Sequence, residues 1–220
     1  MISVLYDDQD LLAVDKPEGL AVIPERDPTR PSLVAILARH MGIRPYVVHR
    51  IDKQVSGVVL IAKNAQTHRY LNQLFEQRKV SKSYLALVHG VVQKDSGTVE
   101  RPLRDFGSGR TGVDEMAGRP AITEFQVLMR YHDFTLLRAC PITGRRHQIR
   151  AHLYCIGHPV VGDQMYGRRS QQARFPRLML HSHRIQFANP VGRDISIQSP
   201  PPSSFQAVLA SIQKPDSERQ

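Results

Sequence analysis

Cysteine is nearly absent from this chain. Only Cys140 and Cys155 occur among 220 residues, and no Cys-x-x-Cys pair is formed, which excludes a disulfide framework and a cysteine zinc site. Both are expected as buried thiols. Glycine (14) and proline (15) are too few and too scattered for a fibrous or disordered chain. No apolar run approaches the ~18 residues of a spanning helix, and the opening MISVLYDDQD carries acids where a secretory leader needs bases. A cytoplasmic protein without a membrane partner is therefore expected. Acids are scarce in the last third: residues 138–193 hold ten arginines and a single acid, Asp163, whereas residues 1–31 hold seven acids and three bases. Internal repeats and low-complexity tracts are also lacking.

What is present describes a folded, basic protein. At 24.9 kDa, with 41% hydrophobic and 23% charged residues, the chain can bury a sizeable core. One domain over 1–213 is expected, followed by a frayed tail at 214–220. The net charge is +10. Arginines outnumber lysines 23 to 7, and the planar guanidinium fork suits phosphate oxygens and base edges. Nucleic acid is thus the partner that composition favours over an inert basic surface.

Short alternating runs predict strands at 2–6, 11–15, 58–62, 84–92, 122–129, 134–139, 178–181, 184–188 and 195–198. Turn chemistry at Asp7–Asp10 and Asn189–Gly192 joins neighbouring strands as antiparallel hairpins. Helical spacing places Leu33, Ile36 and Leu37 on one helix after Pro31, ended by Gly42, and Leu71, Leu74 and Phe75 on a second capped by Asn64. A third helix is expected from about Arg145, with Thr143 as its cap, burying Ile149, Leu153 and Ile156. The last carries Phe205, Val208, Leu209 and Ile212 behind a Ser203–Ser204 cap. Strands and helices do not alternate regularly, so the fold class is α+β.

Three stretches could carry chemistry. In His49-Arg50-Ile51-Asp52-Lys53, a carboxylate stands among cations, an arrangement that suits a nucleophile or base as well as a surface ion pair. The segment Pro141 to Arg150 gathers Arg145, Arg146, His147 and Arg150 near a helix start, where an anion is favoured, or else forms a solvated basic face. Tyr84 opens an apolar strand, as a packing residue or as a platform for an unpaired base. His147, His152 and His158 are spaced five and six apart, which does not make a ligand set, so no metal is expected. A kinase reading of His49–Asp52 with Asp105-Phe106-Gly107 fails because Ile51 interrupts the triplet and no glycine-rich loop precedes it.

Five ordered blocks, HRIDKQVSG (49–57), KSYLA (82–86), PITGRRHQIRAHL (141–153), GHPVVGDQMYG (157–167) and RLMLHS (177–182), resemble the RluA family of RNA pseudouridine synthases. The resemblance covers about nine tenths of the chain. It implies a mixed, mostly antiparallel sheet in two halves with flanking helices and a central cleft for a flipped uridine. By the same resemblance Asp52 is the catalytic carboxylate, Arg150 its partner, Tyr84 the residue under the uracil ring and Arg50 an aid to base flipping. His49, Arg145, Arg146, His147 and Leu180 are taken as further substrate contacts. Ile51 and Val55 stand where the family usually has Leu and Thr. The implied activity isomerises uridine in ribosomal or transfer RNA to pseudouridine without any cofactor, in a monomer needing no protein partner. Many members carry a small RNA-binding module in front of the catalytic domain, and this sequence starts at the catalytic blocks, so RNA is expected on the domain's own surface. The competing readings are a non-catalytic RNA-binding protein of the same fold and a histidine nuclease.

Overall fold

The first hairpin follows from its turn. Asp8 accepts the N–H groups of Asp10 and Leu11 at its Oδ1 (2.8 and 2.7 Å), so the chain reverses between β1 (Ser3–Asp7) and β2 (Leu11–Lys16), which pair antiparallel. The computed structural model describes residues 2–27, 29–42 and 44–213; the tail expected at 214–220 lies outside them. One domain over 1–213 is the sequence expectation, and the chain divides into two compact units, Met1–Lys82 with Ser182–Pro200 and Ser83–His181 with Pro201–Gln220.

In the first unit, β2 pairs antiparallel with β4 (Ser56–Ala62), whose far end is met by the two-residue β3 (Tyr46–Val47). β11 (Leu180–Ala188) follows β4 in the sheet order and carries β12 (Asp194–Gln198) through the Asn189–Gly192 turn. Every residue of β4 is buried, as expected for a strand covered on both faces. Helix α1 (Leu33–Met41) is capped by Ser32 and ends at Gly42; α2 (Ala65–Glu76) is capped by Asn64, whose Oδ1 accepts from Thr67 N–H at 2.8 Å. Leu71 and Leu74 of α2 pack on Leu11, Val58, Leu60, Ile185 and Phe187, each burial contributing roughly 1.5–3 kcal/mol.

The second unit is built on β5 (Ser81–His89), β10 (Phe134–Pro141), β9 (Ile122–Arg130) and β6 (Ser96–Glu100), neighbours in that order and antiparallel where β10 meets β5 and β9 and where β6 meets β9. A small hairpin, β7 (Leu103–Asp105) and β8 (Thr111–Val113), stands apart from it. Three helices complete the described residues: α3 (Gln148–Cys155), the single-turn α4 (Arg169–Gln172) and α5 (Ser203–Gln213). The mostly antiparallel α+β class is as expected.

Several local expectations need correction. Helix α3 starts at Gln148, after His147 in the left-handed region (φ 49°), so Thr143 is not its cap and Arg145 and Arg146 precede the helix. Thr143 instead donates to Gln148 Oε1 at 2.6 Å. Ile156 is exposed and Cys155 likewise, while Cys140 is half-buried. The runs at 178–181 and 184–188 belong largely to one strand, β11. Ser203 is the first residue of α5 rather than a cap before it.

Candidate active-site residues

The segment bearing Asp52 leaves β3 and returns into β4, pinned from both sides. Lys16, fully buried at the end of β2, donates from Nζ to the carbonyls of Pro17 (2.8 Å), Leu20 (2.7 Å) and Lys53 (3.1 Å). Gly19 N–H also donates to Lys53 O at 2.9 Å, and Val55 N–H closes a turn on Asp52 O at 3.0 Å. On the other side His49 turns inward: its Nε2 accepts Leu60 N–H at 2.9 Å and its ring stacks on Phe75 at 5.2 Å. That bond continues the β3–β4 pairing beyond Val47 with a side-chain acceptor in place of a carbonyl. Burial, helped by the nearby Lys82 ammonium, pushes the imidazole pKa down to about 3, so His49 is neutral with its proton on Nδ1. Arg50 is exposed and Ile51 buried, which points the block's arginine outward.

Gly57 ends this segment with φ 114°, and an added Cβ there would lie 2.1 Å from the Ser182 carbonyl oxygen. Only glycine fits that position.

In the second unit Tyr84 lies buried on β5 opposite Ala139 of β10, and Leu180 is buried at the start of β11. Six consecutive residues of α3, Gln148 to Leu153, are buried, so its polar members must find partners. Gln148 Nε2 donates to Ile122 O (2.9 Å) and Thr123 Oγ1 (3.0 Å), and its Oε1 accepts from Thr143 and from Arg145 N–H. His152 bridges Thr123 Oγ1 and Arg101 O, with its pKa lowered by burial. Arg150, 3% exposed, donates from Nε and Nη2 to the two oxygens of Asp163 at 2.7 and 2.8 Å.

The basic block therefore divides. Arg145 and Arg146 are exposed in the loop before α3, whereas Arg150 is interior. His147 sits between them with Nδ1 3.3 Å from the Tyr166 hydroxyl. A left-handed backbone at a non-glycine residue costs roughly 1–3 kcal/mol and is tolerated where the surroundings hold it. Lys16, Gln148, Asp163 and Tyr166 were given no role by sequence reasoning. The last two lie inside the GHPVVGDQMYG block, and the signal that marked them was membership of that block alone.

The class comes first from the fold. Human RNA Pseudouridylate Synthase Domain Containing 1 aligns with 94% of this chain and 87% of its own at a TM-score of 0.80 and 28% identity. The sequence then narrows it. The family model described as RNA pseudouridylate synthase matches residues 10–154, which include Asp52, Tyr84 and Arg150. An uncharacterized RNA pseudouridine synthase of Bacillus subtilis is 36% identical over 97% of this chain and 73% of its own length. Ribosomal large subunit pseudouridine synthase D of Nitrosomonas europaea is 36% identical over 96% of this chain and 65% of its own. The chain belongs to the RNA pseudouridylate synthase family, whose members are isomerases.

Proposed function

We propose that this chain isomerises particular uridines of a structured ribosomal or transfer RNA, with Asp52 as the catalytic carboxylate, Arg150 directing it and Tyr84 beneath the uracil ring. The observation that carries the reading is the fixation of the Asp52 segment, through Lys16, Gly19 and His49, at the position where the family resemblance puts the catalytic acid. A carboxylate that must meet one atom of an extruded nucleotide has to be held in place before the nucleotide arrives. Several relatives are named for the ribosomal large subunit, which supports ribosomal RNA as the first substrate to try.

The reaction breaks the bond from ribose C1′ to uracil N1, turns the base and rejoins it through C5, with no net redox change and no imported group. Extruding the base from a stem or structured loop costs a few kcal/mol, offset by phosphate contacts. The exposed Arg50, Arg145 and Arg146 supply such contacts in this reading. The chain works as a monomer without an obligate protein partner.

Release of the C5 hydrogen gives a direct assay. Incubated with RNA carrying tritium at uridine C5, the wild-type protein should liberate tritium to water, and Asp52→Asn should liberate none while retaining RNA affinity, because the amide keeps the shape without the nucleophile or base. Tritium release by the purified Asn variant would refute the role of Asp52. Binding without release by the wild-type protein would make it an RNA-binding protein of this fold.

A further inference from the structure

Arg150 and Asp163 form a buried ion pair whose geometry exceeds what charge neutralisation needs. Their side chains are 4% and 0% exposed, and burying two charges is costly even when they are paired. A single contact would satisfy the charge; here both carboxylate oxygens face the Nε–Nη2 edge, the planar arrangement that fixes orientation as well as distance. The ring of Tyr166 lies against the guanidinium, 5.2 Å from Cζ to centroid. Arg150 is thus held along one edge and by one face.

Each holder is itself held. Asp163 Oδ1 accepts Met165 N–H (3.0 Å) and Tyr166 N–H (3.2 Å). The N–H groups of Gly162 and Asp163 both go to Gln172 Oε1, and Gln172 Nε2 returns to Tyr166 O at 3.1 Å. Gly162, at φ 75°, presses so close to Arg177 that an added Cβ would sit 1.8 Å from its carbonyl oxygen. Tyr166 donates its hydroxyl to Thr111 O (2.8 Å) and accepts Thr111 N–H (3.0 Å). The loop is tied to β5 through Val161 N–H, which donates to Leu87 O at 2.9 Å.

We infer that Asp163 is a positioning residue: with Tyr166 it sets the plane and direction of the Arg150 guanidinium, the group to which the proposed function gives a part in the reaction. This inference rests on the proposed catalytic part of Arg150. Asp163 is 1% exposed and cannot touch RNA, so its influence runs through the groups it holds: Arg150 by the side chain, and the Met165 and Tyr166 N–H groups, whose acceptor an amide would keep. Asp163→Asn keeps the acceptor for Met165 and Tyr166 but presents an amide donor to a guanidinium that only donates.

The test is tritium release from C5-labelled uridine RNA, with kcat and KM separated and folding followed by circular dichroism, for Asp163→Asn, Asp163→Glu, Arg150→Lys and Asp163→Asn/Arg150→Lys. The expected result is a fall in kcat of at least about tenfold for Asp163→Asn, KM within about twofold of wild type, and partial recovery in Asp163→Glu. Once Arg150→Lys has removed the fork, adding Asp163→Asn should cost less than about threefold more. Should Asp163→Asn fail to fold, Asp163→Glu and the comparison of Arg150→Lys with the double variant take its place. A wild-type kcat in a folded Asp163 variant, an effect confined to KM, or a full further loss in the Arg150→Lys background would overturn the inference. Wild-type kcat in Arg150→Lys would instead remove Arg150 from the mechanism, whichever way the Asp163 variants behave.

Discussion

His49 shows how a residue legible in type takes on a structural task that its sequence context does not display. Its place in the HRID block suggests a substrate contact, yet its Nε2 is committed to Leu60 N–H. Periodicity cannot reveal this, because whether a polar side chain faces RNA or closes a gap beside a strand is decided by its neighbours in space. The consequence is measurable. The folded-state pKa, about 3, lies below the ordinary 6.5, so as pH falls the unfolded chain takes up this proton first. His49's contribution is therefore complete above about pH 6.5 and is lost towards pH 3, at up to about 1.4 kcal/mol per pH unit. His49→Gln keeps an acceptor and abolishes the titration. Between pH 7 and 5 the wild-type protein should lose about 2 kcal/mol more than this variant in urea unfolding, and an equal loss would place the proton elsewhere. Tyr84 separates in another way. Tyr84→Phe preserves a stacking face worth roughly 1–3 kcal/mol, and should bind RNA yet finish little pseudouridine if the phenol relays the C5 proton. Tyr84→Leu should fail at both; full turnover by the Leu variant would take Tyr84 out of the site.

At the scale of elements, the long strands and the first two helices were readable because burial on one or both faces leaves an apolar pattern. β6, β7 and β8 were not, since Ser-Gly-Thr-Val-Glu, Leu-Arg-Asp and Thr-Gly-Val are too short and too polar to alternate. β11 was divided by His181-Ser182-His183, polar residues of which the first two are buried within the strand. Helix α3 was begun too early for a different reason: Gln148 caps the preceding loop from inside the helix, by accepting Arg145 N–H and Thr143 Oγ1, and the left-handed His147 leaves no sequence signal. Asp52, Tyr84 and Arg150 were named from the family blocks, whereas Asp163, which holds Arg150, acquires its role only when the chain is folded. Gly57 tests the element that carries Asp52. Gly57→Ala at φ 114° sets a methyl against the Ser182 backbone, and should cost about 2–5 kcal/mol in urea unfolding. A loss below 1 kcal/mol on the same scale would mean that the β4–Ser182 approach can open at little expense.

Across the whole molecule the basic excess divides between structure and surface. Of the ten arginines in 138–193, Arg150 and Arg177 are buried; Arg177 donates to Leu178 O and Ser204 Oγ and lies over Phe205, which makes it a packing residue despite its sequence context. Arg145, Arg146, Arg168, Arg169 and Arg174 are exposed. If these contact phosphates, each one replaced by Gln should flatten the slope of log affinity against log salt by about 0.7–0.9, and a slope unmoved by several replacements would place the RNA on another face. No described helix is long and apolar enough to cross a membrane. The proposal that this chain makes pseudouridine in cellular RNA through Asp52 is decided by mapping pseudouridine in total RNA from cells lacking the gene and from the same cells supplied with the wild-type or Asp52→Asn chain. One or more uridines are expected to be modified with the wild-type chain and left unmodified both without it and with Asp52→Asn. Modification restored by Asp52→Asn, or a map unchanged by loss of the gene, would contradict it.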